Sequence, residues 1–146
     1  DVLVTPLQLA QFAGMLAQRG TQFEPHFVNR VVSKNGDVIE ENISQSRDRV
    51  TASKDSWDFV HQAMWDVVNG KKGTARAARQ KDWEIYGKTG TAQNPHGEDH
   101  AWFIGFSLDE RYPYSWAVLL ENGGGGGGIA APLIGKILRN IAKRPS

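Results

Sequence analysis

The sequence predicts an α+β fold in which helices pack against an antiparallel sheet. Two helical segments with a short hairpin between them come first, three strand-like runs with short connections follow, and a third helical segment ends the chain. Short links are typical of antiparallel neighbours, because parallel neighbours need crossover connections of a dozen residues or more. We therefore expect an antiparallel meander with helices packed on it, and a chain of 146 residues is compatible with a single hydrophobic core.

Capping residues and apolar periodicity predict the first two helices. Thr5-Pro6 is a helix start, since threonine can cap free N–H groups and proline at the first helical position loses no hydrogen bond. Apolar residues then recur at helical spacing up to Gly20, a typical residue after a helix end. Ser53 can cap a second helix, which holds its apolar period as far as Asn69-Gly70.

Strand signals occur on both sides of the second helix. A small hairpin is predicted before it, because Asn35-Gly36 supplies the positive φ angles of a tight turn between Phe27–Val32 and Val38–Ile39. Glu40–Arg49 is a polar stretch with no strand signal. After the second helix come three runs rich in aromatic and β-branched residues: Trp83–Gln93, Ala101–Leu108 and Tyr112–Leu120.

Six consecutive glycines, Gly123–Gly128, separate the last strand from the final helix, whose apolar period begins at Ile129. The run lacks the spaced Lys-Ser/Thr of a phosphate-binding loop. We therefore expect it to be a mobile connection between strand and helix.

Composition excludes several classes of function. With 17 basic and 16 acidic residues the net charge is +1, which is not typical of a nucleic-acid-binding domain. We interpret the basic segment Lys71–Lys81 as a solvated face and predict no nucleic-acid partner. The absence of cysteine excludes disulfides and thiol chemistry. The chain opens at Asp1 and not at a methionine, so we expect it to be the downstream part of a longer polypeptide. It has no apolar run of about 18 residues, and we expect any membrane anchor to lie upstream.

The segment Tyr86–Gln93 carries the most informative chemistry. Lys88, Thr89 and Thr91 place a cation and two hydroxyl groups on one short strand, and Gly90 between them allows a ligand to approach the backbone. Such a group suits a carboxylate, which the ammonium, the hydroxyls and free edge N–H groups would bind. Strand alternation puts Lys88 and Gly90 on one face and both threonines on the other. The alternative is an ordinary edge strand with polar side chains in solvent.

Lys-Thr-Gly is also one of three motifs that identify penicillin-binding proteins and class A β-lactamases. Further stretches match the same family in its order along the chain: Leu3–Ala10, Gly73–Ala75, Gly87–Gly97, Asp99–Phe106, Glu121–Gly124 and Ala131-Pro132. On these residues the chain closely resembles the C-terminal part of the transpeptidase domain of a class B penicillin-binding protein, most like the penicillin-binding protein 2, or elongation, type. The resemblance implies that residues 1–146 are the C-terminal lobe of a β-lactamase/transpeptidase-like domain.

The resemblance implies serine acyl transfer in peptidoglycan cross-linking. A stem peptide ending in D-Ala-D-Ala acylates the enzyme, an amine then accepts the acyl group, and β-lactams are trapped at the first stage. Lys88 is expected to act in catalysis by supplying positive charge to the cleft and helping to position the catalytic hydroxyls. Thr89 and Thr91 are expected to offer hydroxyls to the substrate carboxylate, and the Thr91 N–H to serve the oxyanion hole. His100 and Trp102 are candidates for the cleft rim. The parent protein would support cell-wall synthesis and cell shape from the periplasmic face of the inner membrane.

The family's two other motifs, S-x-x-K and S-x-N, are missing in any credible context. No serine is followed by lysine at the third position after it, and Ser33-Lys34-Asn35 falls in the predicted hairpin turn. We therefore expect both motifs upstream of Asp1 and predict that this chain alone is inactive. Its expected partners are a stem peptide or β-lactam and the upstream part of the same domain. Self-association through exposed apolar surface is a further prediction.

Other interpretations remain open at this point. A non-catalytic binding or assembly module could retain the same lobe, and a D,D-carboxypeptidase or β-lactamase shares Lys-Thr-Gly but uses water as the acceptor. Asp99–Phe103 and Glu121–Gly124 favour the transpeptidase. His96 and His100 have the spacing of a helical metal site, but Pro95 and Gly97 disfavour a helix, so we predict neither a metal nor a cofactor.

Overall fold

The computed structural model describes residues 3–143 and has the predicted α+β architecture. Three helices surround a central three-stranded sheet, and two small two-stranded sheets lie between the first and second helices in the chain. The elements in chain order are α1 (Pro6–Ala17), β1 (Thr21–Phe23), β2 (Arg30–Val32), β3 (Val38–Glu41), β4 (Ser46–Arg49), α2 (Lys54–Asn69), a 3-10 turn (Arg76–Ala78), β5 (Ile85–Ala92), β6 (His100–Ser107), β7 (Ser115–Leu120) and α3 (Ala130–Ala142).

Both predicted helix starts are confirmed, with side-chain caps. The Thr5 hydroxyl accepts the N–H of Gln8 at 3.2 Å, and the Gln8 side chain accepts the N–H of Thr5 at 2.8 Å, which completes a capping box. The Ser53 hydroxyl accepts the N–H of Ser56 at 3.1 Å at the start of α2. The α1 helix ends at Ala17, before Gly20, whose φ of +100° lets the chain turn away.

The central sheet is the predicted antiparallel meander, with strand order β5-β6-β7. Lys88 pairs with Ile104, and Phe103 pairs with Val118. The third strand begins at Ser115, not at Tyr112 as predicted. The residues before it form a turn in which Arg111 donates to the Asp109 carboxylate, and this interaction lowers the pKa of Asp109.

The core lies between one face of this sheet, α3 and the end of α2. Phe103, Ile85, Val68 and Leu138 are its large, fully enclosed members. On the other face α1 packs over β6 and β7, and the buried His61 of α2 stacks near Tyr86 and Phe106. These contacts hold β5 in place from both sides. Within residues 3–143, every helix is too short or too polar to cross a membrane.

Residues 21–50, called the arm below, form the two small sheets. The predicted hairpin is confirmed as β2 and β3, although its first strand begins at Arg30 and not at Phe27, and its second continues to Glu41. Gly36 has a φ of +91°, and the Ser33 N–H is bonded to Asp37 O. Ser33 therefore lies in a turn, as expected. The pairing of β1 with β4 was not predicted, because these strands have only three and four residues and lack apolar alternation.

Candidate active site

One edge of β5 carries the Lys-Thr-Gly residues and points away from the sheet. The Ser107 N–H donates to Tyr114 O, just before β7, at 2.9 Å, so the backbone groups of Ser107 face away from β5. Ile85 lies opposite Ser107 in β5, and its own N–H and C=O therefore point away from β6, toward the free edge of the sheet. The Ile85 carbonyl accordingly accepts from Asn69 Nδ2 of α2 at 3.0 Å. By the alternation of antiparallel strands, the N–H and C=O groups of Gly87, Thr89 and Thr91 face this same outer edge.

The side chain of Lys88 also reaches this edge. Its register places it on the face opposite the two threonines, as the sequence predicts. However, the exposed side chain bends back to the edge of the strand, where its ammonium group donates to the outward-facing carbonyl of Thr89 at 2.7 Å. Thr89 is half-buried and Thr91 is exposed. The edge is therefore where the cation, the hydroxyl groups and the free backbone donors come together.

Gly90 is constrained by its neighbour across the sheet. Trp102 lies directly opposite, and a Cβ at Gly90 would come within 3.2 Å of the Trp102 Cβ. The sequence predicts that glycine here admits a ligand to the backbone, and the structure adds packing against tryptophan as a second reason for glycine. Trp102 itself is half-buried on the same face as Lys88.

Thr74, which is not among the site residues predicted from the sequence, contacts this group. Its hydroxyl lies 3.0 Å from that of Thr89. The only available signal was the resemblance of Gly73-Thr74-Ala75 to a family turn, and sequence spacing could not place that turn beside β5.

His100 begins β6 opposite Ala92, and its ring has a structural partner. Its Nδ1 accepts the backbone N–H of Asn122 at 3.0 Å, so Nε2 carries the proton in the neutral ring. Asn122 is also bonded through its side chain to Asn94 at 2.7 Å, which ties the loop after β5 to the residues after β7. The assignment of His100 and Trp102 to a cleft rim stays a prediction.

The glycine run, which the sequence predicts to be a mobile connection, packs in part against β5. Gly126 is buried, and a Cβ there would lie 2.5 Å from Gly90 O and closer still to Trp102 O. Its carbonyl accepts the Ala131 N–H of α3 at 3.0 Å. Gly127 approaches the carbonyl of Thr74 equally closely. The middle of the run is thus packed against the Lys-Thr-Gly strand. Among residues 3–143, by contrast, no atom outside Gly125 and its two chain neighbours lies within 4 Å of the Cβ position of Gly125.

Electrostatics around the site are simple. Burial raises the pKa of the Tyr86 phenol, which stacks on Phe106, and the charge of Glu84 adds to that effect.

In the part of the chain that the structure describes, no three or more His, Asp or Glu side chains cluster as metal ligands. A groove of about 850 Å³ lies between α1, β1 and the β6–β7 connection, and none of its lining residues belongs to Lys88–Thr91.

The site can be compared with known proteins. The family described as penicillin binding protein transpeptidase domain matches residues 2–139. The peptidoglycan D,D-transpeptidase MrdA of Haemophilus influenzae is 32% identical over 152 residues, covering 92% of this chain and 23% of that protein. MrdA of Acinetobacter baumannii is 30% identical, over 97% of this chain and 23% of its own length. The chain thus spans about a quarter of the length of these relatives.

Solved structures give the same result. Penicillin-binding protein 2 of Pseudomonas aeruginosa, in complex with WCK 5153, superposes with a TM-score of 0.74 at 33% identity, over 97% of this chain and 30% of that one. The penicillin G acyl-enzyme complex of penicillin-binding protein A from Mycobacterium tuberculosis gives 0.77 at 28% identity, over 99% and 33%. The resemblance to the penicillin-binding protein 2 type and the predicted fold class are confirmed. This chain belongs to the penicillin-binding protein transpeptidase domain family.

Proposed function

We propose that this chain is the C-terminal lobe of a peptidoglycan D,D-transpeptidase domain and supplies the Lys-Thr-Gly wall of its active site. The observation that carries the proposal is the outer edge of β5. The outward N–H of Thr91, the ammonium of Lys88 and the hydroxyl of Thr89 converge there on a surface that an extended peptide or a β-lactam can follow.

The residues of this edge have distinct roles in acyl transfer. A serine from the rest of the domain attacks the carbonyl carbon of the penultimate D-Ala, and the Thr91 N–H stabilises the negative charge that develops on the carbonyl oxygen. Loss of one such donor typically costs about 100- to 1000-fold in rate. Lys88 and the two threonine hydroxyls bind the terminal carboxylate of the stem peptide, or that of the drug. Terminal D-Ala leaves with the proton that the serine gave up, and the acyl group then passes to an amine.

The similar proteins support this reaction class. Those of Haemophilus influenzae and Acinetobacter baumannii are named peptidoglycan D,D-transpeptidases, and a structural neighbour is described as a penicillin G acyl-enzyme complex. We infer that the nucleophilic serine, its lysine and the S-x-N motif belong to a part of the polypeptide upstream of Asp1. The whole protein would act at the periplasmic face of the inner membrane, anchored through a segment outside this chain, and would need no cofactor.

The test is covalent labelling by a fluorescent penicillin, followed by peptide mapping. The full-length protein that carries this sequence should be labelled at one serine outside residues 1–146. The 146-residue chain alone should stay unlabelled under the same conditions. A label on any serine within the chain, or a full-length protein that does not react, would contradict the proposal.

A further inference from the structure

The hydroxyl of Thr74 is within hydrogen-bond distance of the hydroxyl of Thr89. The two side-chain oxygens lie 3.0 Å apart, although 15 residues separate them in the chain. A threonine hydroxyl has one hydrogen to donate and lone pairs to accept with. When the Thr89 hydroxyl donates to a carboxylate, its contact with Thr74 is satisfied only if Thr74 donates and Thr89 accepts.

The backbone around Thr74 is held firmly, whereas its side chain is exposed. The next residue, Ala75, is buried and donates its N–H to Val67 O of α2 at 2.9 Å. The preceding Gly73 has no room for a side chain, since a Cβ would lie 2.5 Å from Asp66 O. On the other side, Gly127 packs against the Thr74 carbonyl. The turn is thus fixed between α2 and the glycine connection.

Because these backbone contacts hold the turn, the fold does not depend on the hydroxyl of Thr74. Removing the Oγ1 atom deletes one hydrogen bond at a surface that the backbone contacts already define. The same deletion leaves Thr89 without its donor, so its hydroxyl can rotate away from the orientation that a carboxylate needs. A donor in such a chain also polarises the next hydroxyl, which strengthens the bond that Thr89 makes to an anion.

We propose that Thr74 is a positioning residue for carboxylate recognition, which donates to Thr89 and thereby orients the Thr89 hydroxyl toward the ligand. The inference rests on the proposed function, because it assigns the ligand carboxylate to Thr89. It adds a residue outside the Lys-Thr-Gly strand to the recognition of that group. The role is specific to the hydroxyl, so serine should replace threonine and valine should not.

The experiment measures the second-order rate constant of acylation by a fluorescent penicillin in the full-length protein. Thr74→Val should lower it about three- to tenfold, the typical effect of one lost hydrogen bond, and Thr74→Ser should stay within about twofold of the parent. Thr51→Val, which alters an exposed threonine before α2, is the matched control and should have no effect. Melting temperatures of all variants should agree.

A double-mutant cycle with Thr89→Val completes the test. If Thr74 acts through Thr89, Thr74→Val should change the rate less than about twofold once Thr89 is valine. Additive losses, or failure of serine to restore the rate, would overturn the inference while leaving the proposed function intact. If Thr89→Val itself acylates as fast as the parent, the assignment of the carboxylate to Thr89 is wrong, and the role of Thr74 falls with it.

Discussion

The central sheet and the arm are stabilised in different ways. The strands β5–β7 enclose large apolar side chains against α3, and Phe103 is 0% exposed. Among the described side chains of residues 21–50, none is buried, and Phe27 and Ile43 are 97% and 78% exposed. The arm is held by backbone pairing and by polar contacts such as that between Arg47 and Glu24.

This difference indicates which part of the chain can hold polar groups in a fixed geometry. The Lys-Thr-Gly residues of the candidate site lie on β5, whose neighbours on both faces are packed, so their backbone directions are fixed by the core. The arm could carry comparable polar groups, but it lacks apolar burial to hold them to a defined geometry. The arm also exposes apolar side chains such as Phe27 and Ile43, and the expected self-association through such surface stays a prediction.

The largest expected effect separates the two regions directly. Phe103→Ala should reduce the free energy of unfolding by about 3–5 kcal/mol, because it deletes a fully enclosed ring from the core. Phe27→Ala, the matched change in the arm, should alter it by less than about 0.5 kcal/mol. Urea denaturation measures both. Equal losses at the two positions would mean that the arm contributes to the core in a way that its exposure does not indicate.

A smaller effect tests how the glycine run supports β5. Gly126→Ala should destabilise the protein by about 1–3 kcal/mol, because the added methyl group would meet the backbone of Gly90 and Trp102. Gly125→Ala has free space around its Cβ and should be close to neutral. Thermal unfolding compares the pair. If both variants melt at the same temperature, the packing of Gly126 on β5 does not contribute to stability, which would favour the mobile connection that the sequence predicts.

The sequence predicted most of the regular structure for identifiable reasons. Thr5 and Ser53 predicted helix starts, because their hydroxyls can cap free N–H groups. The short connections between β5, β6 and β7 predicted an antiparallel meander. The short polar strands β1 and β4 carried no such signal. They are defined by pairing between segments more than 20 residues apart, which no local pattern encodes.

Part of the geometry of the candidate site could be predicted from the sequence. The Lys-Thr-Gly segment could be identified from its residue types, and strand alternation correctly separated Lys88 from the threonines. What local pattern could not provide is tertiary placement. The return of the Lys88 ammonium to the Thr89 carbonyl, the contact of Thr74 with Thr89 and the packing of Gly126 on Gly90 all depend on three-dimensional contacts.

The central claim is that the outer edge of β5 binds the anionic group of an acylating ligand, and Lys88 tests it most directly. In the full-length protein, Lys88→Ala should slow acylation by a fluorescent penicillin by roughly 10- to 100-fold, since a charged partner of the carboxylate is lost. Its melting temperature should match that of Lys136→Ala, which removes an exposed lysine from α3 and should acylate normally. If Lys88→Ala reacts as fast as Lys136→Ala, this edge is not the anion-binding wall of the active site.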